Sequence, residues 1–227
     1  MSITAKRAAM PARLARRQAA APRQRLSPDE RRRHLLQVAA RLMTTRGVDA
    51  VQFPEVAAAA GVTRQLVYRF FPSRQALIMA VLEDFAEDLT QRLGRGAAYA
   101  MPDNLEAGTR LFVEAVCDTI EAKGAGPWHV LGSKGPDREV ARLGEEIQNR
   151  LLQPWRVRIA ETIGESEREA AVVARMIVAG GRAALEEWYN GTLSREEVVR
   201  ATTRGVSALL KAFVADTSVR AKKAPRR

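Results

Sequence analysis

The amino-acid sequence predicts an all-α chain in two parts, an N-terminal helix-turn-helix head and a larger C-terminal helical body. Three observations predict it. Ala, Leu, Arg and Glu dominate while alternating β-branched runs are few, which favours helix over strand. Apolar residues recur at helical spacing in one segment after another, bounded by Ser, Thr, Gly, Asn or Pro. Residues 53–77, FPEVAAAAGVTRQLVYRFFPSRQAL, read as two short helices around a sharp turn.

Along the chain, residues 1–26 hold seven basic side chains, two prolines, no acid and no stable apolar face. They read as a disordered basic arm, either adding nonspecific phosphate affinity or standing by. Organelle transit peptides are also Arg-rich, but they are usually rich in Ser, which this arm is not. Ser27-Pro28-Asp29-Glu30 opens the first helix with a cap, a proline in the first turn and two acids. Leu35, Ala39, Leu42 and Met43 give it an apolar face, Gly47 ends it, and His34 falls on its surface without a second ligand at metal spacing.

Within 53–77, Val56, Ala57 and Ala60 face the core, and Gly61 stops the helix where only a residue without Cβ turns cheaply. Val62 plugs the turn and Thr63 caps the next helix. Val67, Phe70 and Phe71 form the buried side of that helix, leaving Arg64, Gln65, Tyr68 and Arg69 on its other faces. Ala57 must be small because the second helix crosses over it. Such a pair places its second helix in the DNA major groove. Arg64 and Gln65, at the exposed N-terminal end, suit guanine and adenine edges. Thr63, Tyr68, Arg69 and Arg74 complete the expected DNA-contacting set, with Tyr68 and Arg74 on the backbone.

Ser73 caps a fourth helix, to about residue 93, that links head and body. Beyond the break at Gly94, Gly96 and Pro102, a helix carries Leu105, Leu111, Phe112, Ala115, Val116 and Ile120 to about Lys123. Glycines and prolines then bracket a short apolar piece at 128–131. The next helix, 137–163, contains Pro154, which is expected to kink or split it. Residues 166–189 form another, closed by Asn190-Gly191, and Ser194-Arg195-Glu196-Glu197 opens the last with a capping box.

These motifs resemble the tetracycline-repressor (TetR) family of bacterial transcription regulators, specifically over about residues 35–82. The residues that carry the resemblance are Ala60, Gly61, Val62, Thr63, Val67, Tyr68, Phe70, Phe71, Ser73, Arg74 and Leu77. Phe70 stands where the family has Tyr or His, Arg74 replaces Lys, and Gln52 takes the place of a Ser or Thr cap. The resemblance implies a repressor that binds a palindromic double-stranded operator in the bacterial cytoplasm, nucleoid-associated when bound. It also implies a homodimer built by pairing the last two helices, where Gly180-Gly181 would let backbones approach, and a body that senses a small-molecule effector. Candidate lining residues are Phe112, Val116, Cys117, Trp128, His129, Trp155, Met176 and Tyr189, each of which can equally be core packing at helical spacing. The expected division is 1–26 arm, 27–75 head, 76–216 body and 217–227 basic tail.

Composition fits this picture. Of the 227 residues, 46% are apolar and 28% charged, as in an ordinary globular chain. The formal net charge of +11 sits at the ends. The arm and tail hold twelve of the 37 basic residues and no acid, so residues 27–216 carry one net negative charge. Within them, residues 27–75 hold eight Arg against four acids. Positive charge is thus concentrated where DNA would bind. Arg175 and Arg182 interrupt the longest apolar runs, which argues against a membrane span. Cys117 is the sole cysteine, so no internal disulfide or Cys-rich metal site forms, and a small core residue is its plainest role.

An enzyme reading finds no Ser/His/Asp order, no phosphate-cradling loop after a strand, and two histidines in different segments. No catalytic residue, metal or cofactor is therefore expected. The rival reading is an architectural, nonspecific DNA-binding protein, which explains the tails and the helix pair but not the body. A membrane-surface role for the arm ranks behind both.

Overall fold

The computed structural model describes residues 26–94, 105–132, 137–163 and 166–223, so the arm lies outside it apart from Leu26. Among the described residues the fold is all helical: α1 (Pro28–Arg46), α2 (Phe53–Ala60), α3 (Arg64–Phe70), α4 (Arg74–Arg92), α5 (Leu105–Lys123), α6 (Ala125–Val130), α7 (Arg138–Ile163), α8 (Glu167–Tyr189) and α9 (Arg195–Lys223). A short 3₁₀ turn, Val48–Ala50, joins α1 to α2. The expected fold class holds.

Local chemistry explains the boundaries. Ser27 and Glu30 form a reciprocal capping box, with Ser27 N–H donating to Glu30 at 2.7 Å and Glu30 N–H to Ser27 Oγ at 3.2 Å. Ser194 and Glu197 repeat the device at α9. Ser73 Oγ accepts from Ala76 N–H at 3.1 Å and so starts α4. The short apolar piece after α5 is itself a helix, α6, which begins at Ala125.

Pro154 does not split α7, which runs unbroken from Arg138 to Ile163. A proline inside a helix costs about 3 kcal/mol. Ile147 on one side and Trp155, Ile159 and Ile163 on the other are all buried. Each such side chain contributes about 1.5–3 kcal/mol on burial, so the packing outweighs the lost ladder bond.

α1 packs on α2, α4 and α6, while α5 lies along α9 and α7 along α8. One core cluster runs from Leu35, Val67 and Phe71 in the head through Leu77 and Phe85 on α4 to Val116, Leu185 and Val198 in the body. α4 is therefore shared by both parts. A second cluster, Ile159, Ile163, Val173, Val206 and Leu210, closes the far end of the body. α9 continues to Lys223, into the segment expected as a basic tail.

The head meets the body closely at α6. A Cβ on Gly126 would lie 2.5 Å from Thr44 N and 2.6 Å from Met43 C, both backbone atoms of α1. Only glycine fits there, and its N–H donates to Thr44 Oγ1 at 2.9 Å.

Candidate functional site

The helix pair has the geometry its sequence implies. Gly61 is left-handed, at φ 64° and ψ 37°, and Val62 N–H donates back to Ala57 O at 3.0 Å to close α2. Thr63 Oγ1 accepts from Leu66 N–H at 3.3 Å and opens α3. Val67 and Phe71 pin α3 to the core. Phe70, expected beside them, is only half buried.

Thr63, Arg64, Gln65, Tyr68 and Arg69 are all exposed. Tyr68 is 59% exposed, yet its ring stands edge-on to Phe53 at 4.6 Å, which anchors an otherwise free side chain. No acidic residue occurs between Glu55 and Glu83, so this face carries only positive charge from its side chains. Such a surface suits a polyanion.

Arg74 departs from the expectation of a DNA-backbone contact. Its side chain is 18% exposed and its guanidinium is occupied inside the molecule. Nε donates to Val51 O at 3.1 Å, one Nη to Val48 O at 3.0 Å, and the other to Asp137 Oδ2 at 2.9 Å. Asp137 in turn caps α7, its Oδ1 accepting from the N–H groups of Glu139 and Val140 at 3.2 Å each. Hydrogen bonds from the Val140 backbone and from Arg74 hold the Asp137 carboxyl below its ordinary pKa. Arg74 thus ties the start of α4, the turn before α2 and the start of α7 at one point.

In the body, a mostly apolar cavity lies among α4 to α9, with about 800 Å³ of empty space including its open mouth. Phe112, Trp128 and Trp155, named among the candidates, line it, and Phe112 meets Trp155 edge-on at 5.4 Å. The other candidates lie elsewhere. Val116 and Cys117 are buried in the core beside the cavity, because α5 turns Thr109, Phe112 and Val113 towards it instead. Burial pushes the Cys117 thiol up to about 12. His129 is exposed and meets Tyr189 edge-on at 5.8 Å, and neither lines the cavity. Met176 is 49% exposed on the outer face of α8.

A family model described as "Bacterial regulatory proteins, tetR family" matches residues 35–81, which span most of α1 through the first half of α4. Residues 35–81 thus carry the helix-turn-helix domain of the TetR family. Among its relatives, the HTH-type transcriptional activator FasR of Mycolicibacterium smegmatis is 37% identical over 97 residues, 43% of either chain. An uncharacterised HTH-type transcriptional regulator of Mycobacterium tuberculosis is 38% identical over 79 residues, 35% of this chain and 37% of that one. The match therefore spans less than half the length of these relatives. A TetR-family regulator from Streptomyces coelicolor shares the fold over 84% of both chains, with a TM-score of 0.59 and 26% identity. A TetR-like regulator from Rhodococcus superposes over 84% of this chain and 99% of its own, with a TM-score of 0.62 at 17% identity, a likeness of fold alone.

The family model ends at residue 81, ahead of every residue that lines the cavity, so the cavity has to be read from its own side chains. Four polar residues line it, Thr109, Gln148, Arg182 and Thr202, and none was among the sequence candidates. One signal was available. Arg182 interrupts the apolar run of α8, and a charge at such a place needs a reason.

Proposed function

We propose that the chain is a sequence-specific transcription regulator that binds a palindromic operator as a homodimer and leaves it when a small apolar ligand fills the cavity. The observation that carries this reading is the exposed, acid-free face of α3, where Arg64 and Gln65 stand at the helix start and Tyr68 is braced on Phe53. Arg64 and Gln65 read base edges, while Thr63, Tyr68 and Arg69 hold phosphates. Arg74 acts from behind, setting the position of α4. No catalytic step is assigned, and the bacterial cytoplasm is the place of action.

The dimer has a surface to form on. Val172, Met176, Ala179 and Ala183 make an exposed apolar stripe along α8, and Ala201, Gly205, Ala208 and Ala212 make one along α9. Both follow helical spacing. Paired about a two-fold axis, they would build a four-helix bundle of small side chains. A purely architectural DNA binder has no use for the cavity, which favours the regulator.

Ligand-driven release from an operator makes the protein a repressor. A second reading, activation, is favoured by the name of the M. smegmatis relative, a transcriptional activator. Transcription from the target promoter with and without the protein separates the two signs. The test of the DNA interface is operator selection from random duplexes, followed by binding with Arg64→Ala. That variant is expected to lose about 1–3 kcal/mol on the selected site and to relax one position per half-site. An equal loss on scrambled DNA would assign Arg64 to the backbone instead.

A further inference from the structure

Arg182 lies half-buried against the cavity with no carboxylate in salt-bridge reach among the described residues. Its Nη atoms donate to the main-chain oxygens of Trp128 and His129 at 3.3 Å and of Leu131 at 3.1 Å, the C-terminal end of α6. Its guanidinium also stacks on the Trp128 ring at 5.3 Å. These contacts supply partial charges but no counter-ion. Burial lowers the Arg182 pKa, and only the field of exposed Glu186 opposes that. A cation withdrawn from water without an anion is costly.

The groups around it are donors as well. A Cβ on Gly132 would meet Arg182 Nη2 at 2.1 Å and Gln148 Nε2 at 3.0 Å, so guanidinium and side-chain amide converge on that glycine. Trp128 Nε1 is buried with no acceptor, and Thr202, whose Oγ1 is buried without a partner, lines the same cavity. From Gln148 the lining continues along α7 through Leu151, Leu152 and Trp155 to Ile159, about 16 Å at 1.5 Å per residue. The lining around Gly132 is therefore donor-rich and positive, and the α7 lining beyond Gln148 is apolar.

We infer that the effector is an elongated apolar molecule bearing one carboxylate, with its chain along α7 and its charge on Arg182. The inference rests on the ligand-sensing reading above. A carboxylate there receives hydrogen bonds from the guanidinium and from the Gln148 amide, and it completes the ion pair that the protein leaves open. The alternative role of Arg182 is purely structural, as the cation that caps α6.

Titration of the full-length protein by calorimetry at pH 7, below micelle formation, distinguishes these roles with three probes: decanoate, decan-1-ol and decyltrimethylammonium. Decanoate is expected to bind about tenfold or more tightly than the other two. In Arg182→Gln that preference should vanish while decan-1-ol binds as before. A structural Arg182 would instead lower stability without moving the head-group preference. If Arg182→Gln does not fold, the wild-type ranking alone decides. Equal or tighter binding of the alcohol or the ammonium would overturn the carboxylate assignment and leave the cavity a ligand site. Binding of none of the three would overturn the assignment and the sensing role of the cavity together. The DNA-binding reading would still stand or fall on Arg64.

Discussion

Arg74 shows how a residue of the expected type at the expected position can take a different role. Sequence places a cation at the start of α4, and DNA is the obvious partner. The structure gives it three acceptors within the protein, one of them Asp137, 63 residues further on. No local pattern announces that approach. Arg74→Ala removes the side-chain donor to the Val51 carbonyl, leaves Val48 O with only Val51 N–H, and is expected to cost about 1–3 kcal/mol of stability, read by urea denaturation. Asp137→Asn tests the other side of the latch. Because the folded carboxyl is held below its ordinary value of 3.8, its contribution is present above that pH and is lost as pH falls through the lowered value. Thermal melts should therefore show wild type above Asp137→Asn at pH 6, with the gap closing below about pH 3.8. A gap independent of pH would mean that the charge of Asp137 is not what matters.

The helices themselves were the most legible part of the sequence, because their ends are written in local chemistry. Ser27, Thr63, Ser73, Ser166 and Ser194 sit at caps where their hydroxyls imply, and Gly61 turns as it must. What periodicity cannot show is which neighbour an apolar face meets. On α5 it identifies Phe112 and Val116 alike as inward, yet only the former reaches the cavity. Likewise Gly126 marks a break in the sequence, but its function is contact, since it lets α6 touch α1. That contact matters because Trp128, on the same six-residue helix, lines the cavity. Gly126→Ala forces Cβ into the α1 backbone and strains the bond to Thr44. It is expected to destabilise the protein by about 1–3 kcal/mol, as overpacking does, and to alter operator affinity by shifting the head on the body. An unchanged denaturation midpoint with unchanged operator binding would show that α6 and α1 are free to slide.

At the scale of the molecule, α4 connects the proposed DNA-binding face to the cavity. Its first residue is latched to α7 through Arg74, and Leu89, near its other end, lines the cavity. Those points are about 22 Å apart along the helix. A ligand wedged beside Leu89 therefore acts on a lever whose short end carries the head. In the proposed dimer, two α3 helices must stand about 34–36 Å apart to enter successive major grooves, so a small swing of each head breaks the register. The energetics are bounded. A ligand that favours the off-DNA shape about 100-fold supplies roughly 2.7 kcal/mol per site, and linkage then requires operator DNA to weaken that ligand by the same factor. The prediction is a matched pair of shifts: decanoate lowers operator affinity, and saturating operator lowers decanoate affinity equally. Tryptophan fluorescence titration reads the second, with Trp128→Phe and Trp188→Phe together to isolate the signal from Trp155. Equal decanoate affinity with and without operator would leave a DNA-binding protein whose cavity does not control it.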